Sequence, residues 1–186
     1  MDSDEKVFGF WIYLMTDLVL FAVLFAAFVV LQGSTFGGPT GRALFDMPFA
    51  LAETLILLTS SFTCSLATLT AYRAQKKACI FWFAVTCALG IAFLFLEGSE
   101  FSKFVHLGAG PERSAFLSSF FALVGTHGAH ISIGLLWMGA TMFRIGLRGF
   151  SAPALSQMLR AALFWHFLDV VWIFIFTVVY GMGHLT

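Results

Sequence analysis

The chain has little of what a water-soluble domain needs. Only 11% of its 186 residues are Asp, Glu, Lys or Arg, against roughly 25% in soluble domains. Basic and acidic residues number 10 each, and no basic cluster is dense enough to follow a phosphate backbone, so nucleic acid is not an expected partner. Cysteine is scarce as well: Cys64, Cys79 and Cys87 lie in or beside apolar runs without paired metal-ligand spacing, and read as small packing residues. The N-terminus, with Asp2, Asp4, Glu5 and Lys6, lacks the positive start of a cleavable leader, so the first apolar run is expected to stay. No run alternates as a barrel strand does, and no Glu-x-x-His pair of the di-iron bundles occurs.

What the chain has instead is apolar length. It is 60% hydrophobic and 17% aromatic, with long apolar runs near 8–32, 49–71, 78–96, 115–143 and 161–183. Each reaches the ~17–25 residues that cross a bilayer as helix. Open strands leave backbone polar groups unsatisfied in lipid, so the expected fold is all-α: a polytopic membrane protein, one membrane domain over 1–186, a bundle of five transmembrane helices. With that count, Lys6, Arg73, Lys76, Lys77, Arg144, Arg148 and Arg160 fall on one side and Arg42, Lys103 and Arg113 on the other. Positive charge is retained in the cytoplasm, which predicts a cytoplasmic N-terminus and an external C-terminus.

A few ionisable residues interrupt the runs, and each demands a reason because charge at membrane depth is costly. His166 and Asp169 stand three residues apart in the last run, on one helical stripe with Ile173, Phe176 and Tyr180. Asp17 lies nine residues into the first run, roughly 14 Å deep at 1.5 Å per residue, and suits either an interhelical hydrogen bond or proton handling. Glu53 is expected in the first turn of the second helix, favoured there by the helix dipole and followed by a hydroxyl-rich stretch that includes Thr54, Ser60 and Ser61. Glu97 and Glu100 are expected at the outer end of the third helix, solvated or paired with Lys103 or Arg113. In the fourth, Phe120, Leu123, His127, His130, Gly134 and Trp137 share a face. By residue count, His166 lies roughly 12–16 Å in depth from His127 and His130. One metal or haem held by all three is therefore not expected. His106 and His184 are placed in the outer loop and at the C-terminus.

The segments Gly9-Phe10-Trp11-Ile12-Tyr13-Leu14-Met15-Thr16-Asp17, Glu53-Thr54 with Ser60-Ser61, Glu97 with Glu100, Gly125-Thr126-His127-Gly128-Ala129-His130 and Phe164-Trp165-His166-Phe167-Leu168-Asp169-Val170-Val171-Trp172 occur in an order and spacing that resembles subunit III of the haem-copper oxidases. The resemblance covers nearly the whole chain. Five spans and the Gly110-Pro111-Glu112-Arg113-Ser114 loop resemble the cytochrome bo-type ubiquinol oxidase branch. The resemblance implies a non-catalytic subunit of a proton-pumping terminal oxidase in the bacterial inner membrane, supporting assembly and sustained turnover. It implies no cofactor in this chain, haems and copper in a partner subunit I, further contacts with subunits II and IV, and phospholipids in a cleft between helices. Asp17, Glu53, Glu97, Glu100, His127, His130, His166 and Asp169 then serve packing, lipid or subunit contacts. Within the family, a cytochrome c-oxidising complex is the alternative. From another class, a small proton-coupled transporter would use Asp17, His127, His130, His166 and Asp169 as a relay, but no repeat divides the chain into the duplicated halves common in transporters.

Overall fold

The structure is a computed structural model that describes residues 2–37, 44–149 and 151–181. Its helices are α1 (Asp2–Leu31), α2 (Met47–Tyr72), α3 (Lys76–His106), α4 (Ala115–Arg148) and α5 (Ala152–Ile175), the last continued by a π-helical segment, Phe176–Gly181. All 5 are long and apolar enough to cross a membrane, and no strand occurs among the described residues. The chain is thus an all-helical, multi-pass membrane protein. Arg42 and His184, assigned above to the outer side and the C-terminus, lie outside the described residues.

Local sequence explains where the helices begin and end. Ser114 precedes α4 and accepts a hydrogen bond from the Leu117 N–H at 3.2 Å, and Ser151 does the same for Ala154 at 3.4 Å before α5, each satisfying a donor that the first helical turn leaves free. Pro48 and Pro153 sit in the first turns of α2 and α5, where a missing N–H costs nothing. At the end of α4, Gly149 takes φ 74° and ψ −168°, a positive-φ conformation that ends the helix and that only glycine adopts cheaply.

Helical hydrogen bonding outruns the apolar runs. The third run fades at 96, yet α3 continues to His106, and α5 begins at Ala152, ahead of its apolar run. Loss of hydropathy marks where lipid or apolar packing ends, not where the backbone stops coiling.

Between helices, α2 lies along α3, α5 packs on both α4 and α2, α3 also packs on α4, and α1 leans on α4 and α5. The interior is aromatic: Phe21, Phe28, Phe93, Phe104, Phe116, Phe120, Trp165 and Trp172 are all but fully buried. Outward, Phe62, Phe95, Leu136 and Phe143 are mostly exposed, an apolar surface suited to acyl chains rather than water. Lipid is as apolar as the core, so close packing and interhelical hydrogen bonds must hold the helices together.

Candidate functional site

The face of α5 that meets α2 is built from two tryptophans seven residues apart, two helical turns and so the same side. Trp165 donates its indole N–H to Ser60 Oγ at 3.1 Å, and Trp172 donates to Thr54 Oγ1 at 3.1 Å. Ser60 in turn donates to the Thr86 carbonyl of α3 at 3.2 Å, and the Thr63 and Thr86 hydroxyls meet at 2.9 Å. The hydroxyl-rich stretch of α2 therefore cross-links three helices through buried hydrogen bonds, which is where the expected close-packing role of these residues is realised.

The carboxylates are arranged differently from the expectation. Because α2 starts at Met47, Glu53 falls in its second turn, and it is fully buried with neither oxygen hydrogen-bonded. Glu97 and Glu100 are not a solvated helix end: α3 runs past both, and they are 4% and 5% exposed. At this end of the bundle Phe45, Phe104 and Phe120 pack ring against ring, Phe104 one turn beyond Glu100 and Phe45 against Tyr180. Glu97 sits directly on Gly128 of α4, where a Cβ would come 2.8 Å from both of its oxygens. Glu100 Oε2 accepts a 2.6 Å hydrogen bond from the Tyr180 hydroxyl.

Tyr180 reaches that position because the π-helical turn at Phe176–Gly181 widens the backbone spiral and breaks the simple stripe drawn through His166 and Ile173. Ile173 faces outward at 44% exposure, whereas Tyr180 is fully buried. Tyr180→Phe leaves the Glu100 oxygen without that donor and is expected to cost about 1–3 kcal/mol, read as a lower thermal midpoint of the purified protein in detergent.

The histidines fall in separate surroundings. His127 is fully buried among rings, stacked on Trp172 at 5.3 Å and edge-on to Phe93 at 6.0 Å, with neither ring nitrogen hydrogen-bonded. His130 lies one turn further on, its Nδ1 against the Thr126 carbonyl at 2.7 Å and its Nε2 3.7 Å from Asp17 Oδ1 of α1. This pair, beyond hydrogen-bond length, is where Asp17 finds its interhelical neighbour. His166 Nδ1 is 2.7 Å from Ser61 Oγ and 3.8 Å from Asp169 Oδ2, and its Nε2 is 3.4 Å from Ser65 Oγ. Asp169 is buried with both oxygens unpartnered. Beside His166, an open apolar groove of about 440 Å³ runs between α1 and α5, lined by Trp11, Leu14, Met15, Leu18, Phe167 and Val170.

Sequence reasoning did not single out Tyr180 as a partner of Glu100, nor Trp165 and Trp172 as the anchors of α5. The seven-residue tryptophan spacing was a usable signal. The Tyr180 contact had none, since it depends on the π-helical turn. Among the described residues, no group of 3 or more His, Cys, Asp or Glu side chains is placed to hold a metal ion.

Residues 4–184 match the family described as cytochrome c oxidase subunit III. The cytochrome bo(3) ubiquinol oxidase subunit 3 of Pseudomonas aeruginosa is 55% identical over 181 residues, covering 97% of this chain and 87% of the relative. The protein of the same name from Pseudomonas putida is 50% identical over 185 residues, covering 99% and 89%. The cytochrome c oxidase subunit 3 of Bacillus sp. (strain PS3) is 45% identical over 183 residues, covering 98% and 88%.

Proposed function

The chain belongs to the cytochrome c oxidase subunit III family, and on that footing we propose that it is the non-catalytic subunit III of a proton-pumping terminal oxidase that oxidises ubiquinol and reduces oxygen to water. The observation that carries this reading is the 55% identity over 97% of the chain to a ubiquinol oxidase subunit. A cytochrome c donor is the second reading, favoured by the 45% identity to a cytochrome c oxidase subunit. The chain lies in the bacterial inner membrane as a single membrane domain, N-terminus in the cytoplasm and C-terminus outside. It contacts subunit I chiefly, with subunits II and IV and phospholipids, and the haems and copper belong to subunit I. Tagged chain purified from respiring cells in mild detergent brings with it larger haem-bearing subunits, whose oxidase activity is blocked by quinol analogues. Purification of the chain alone, without haem absorbance, rejects the reading. Dependence on reduced cytochrome c selects the second. A reporter fused after Thr186 that is active only in the cytoplasm reverses the orientation.

Within this role Asp17, Glu53, Glu97, Glu100, His127, His130, His166 and Asp169 serve interhelical packing and lipid or subunit contacts rather than catalysis. Asp169→Ala accordingly weakens assembly or lowers sustained activity, while the haem spectrum of the assembled complex stays as in the parent. Loss of one haem band with normal assembly identifies a ligand on α5 and overturns the assignment. The buried, unpartnered oxygens of Asp169 and the half-open ring of His166 beside it support this choice of variant.

A further inference from the structure

Glu53, Glu97, Glu100 and Tyr180 come from α2, α3 and the π-helical segment and converge at the end of the bundle where α3 finishes. Tyr180 donates to Glu100 at 2.6 Å, Glu97 lies one helical turn from Glu100, and Glu53 lies one turn along α2 from Phe49, which lines the same cavity as Glu100. Packing alone does not account for them. Glu53 is fully buried and Glu97 nearly so, and all four of their carboxyl oxygens are sealed from the surface without a hydrogen-bond partner. Buried polar atoms are almost always satisfied by protein or by ordered water, so orphaned oxygens in such number point to a small polar ligand.

The surroundings narrow the ligand further. On α4 the facing position is Gly128, which supplies no side chain, and His127 next to it is enclosed by Phe93 and Trp172. Asp46, ahead of α2, and Lys103, on the last turns of α3, are the charged groups that flank Glu100. They line, with Leu44, Phe49, Ser99 and Phe104, a cavity of about 80 Å³ that ends on Glu100. One water needs only ~10–15 Å³ of such space, so the cavity admits several waters but no organic ligand of ordinary size. The carboxylates are not spaced to hold a metal ion. Leaving them all as anions is also disfavoured, because mutual repulsion adds to the cost of taking each from water.

We propose that Glu53, Glu97, Glu100 and Tyr180 form an internal site for water and exchangeable protons, connected to the aqueous phase at this end of the bundle through the cavity beside Glu100. Exchange moves a proton from one carboxyl oxygen through water to the next and leaves the bonding pair on the oxygen it departs. Only O–H bonds form and break, and no oxidant or reductant takes part. All four side chains are supplied by this chain. The site rests on the membrane placement above and not on any partner, so its test is read on whatever the tagged chain purifies with.

Infrared absorption of the purified protein reads the site directly. Protonated carboxyl groups give a carbonyl band above the amide region that moves down when D₂O replaces H₂O and moves again when glutamate is isotopically labelled. Glu53→Gln and Glu97→Gln, which keep shape and hydrogen-bonding capacity, each remove part of that band. Tyr180→Phe shifts the part that Glu100 contributes. Ser99→Phe, which fills the cavity, slows the D₂O shift. The proposal is overturned by a spectrum without a glutamic acid carbonyl band. It is equally overturned by a band that Glu53→Gln and Glu97→Gln both leave unchanged, by one that stays unshifted after a day in D₂O, or by exchange that Ser99→Phe leaves as fast as in the parent. If neither glutamine variant accumulates, isotope labelling and D₂O exchange of the parent protein decide between the same outcomes.

Discussion

Trp172→Ala is expected to produce a large loss of stability. The indole is 1% exposed, edge-on to Phe93 at 4.7 Å, stacked on His127 at 5.3 Å, and hydrogen-bonded to Thr54. Truncating a buried aromatic residue in a soluble core costs ~3–5 kcal/mol, part from transfer and part from the cavity left behind. In a bilayer the transfer part largely falls away, because the competing environment is also hydrocarbon. The lost dispersion contacts and the lost indole hydrogen bond to Thr54, whose hydroxyl still donates to the Ala50 carbonyl, remain, so the expected cost is on the order of 3 kcal/mol. Detergent-denaturation midpoints of parent and variant measure it, and an unchanged midpoint would show that α5 is held elsewhere. Trp172→Phe, which keeps a ring against Phe93 but not the indole N–H, is expected to fall between the two.

Gly90→Ala is a second such substitution. A methyl group there would lie 2.6 Å from Trp165 Cη2 and 2.9 Å from Leu135 Cδ2, well inside contact distance. Leu135 can turn aside, but Trp165 is fully buried and tied by its N–H to Ser60. The helix α3 must therefore move away from α5, and overpacking of this kind costs about 1–3 kcal/mol. The clash is with the outer ring of the indole, which phenylalanine lacks, so Gly90→Ala with Trp165→Phe is expected to lose less than the sum of the two single variants. Additive losses would place the damage away from this contact.

Much of this architecture was legible before any coordinates. Helical class and the expected number of spans follow from apolar runs too long for anything but a crossing helix, because a backbone in lipid has to bond to itself. Hydroxyl residues along α2 were readable as contact positions, and they now meet Trp165, Trp172 and Thr86. Depth, counted along the chain, separated His166 from His127 and His130. The same count did not join Asp17 to His130, whose side chains approach to 3.7 Å, since counting treats helices as upright and parallel and says nothing of rotation.

Glu97 and Glu100 mark the boundary most sharply. By sequence they close an apolar run and look like a wetted helix end; in the fold both are buried, and a π-helical turn brings Tyr180 onto Glu100. Hydrophobic length and helix capping act within one segment, so the sequence by itself determined that this is a multi-pass helical membrane protein and which residues break its apolar runs. Which of those polar groups meet, and which are sealed from water, depends on the tilt, rotation and register of helices distant in the chain. Only the tertiary structure decided that, because a buried group's partner is supplied by another helix and a local stretch carries no record of it.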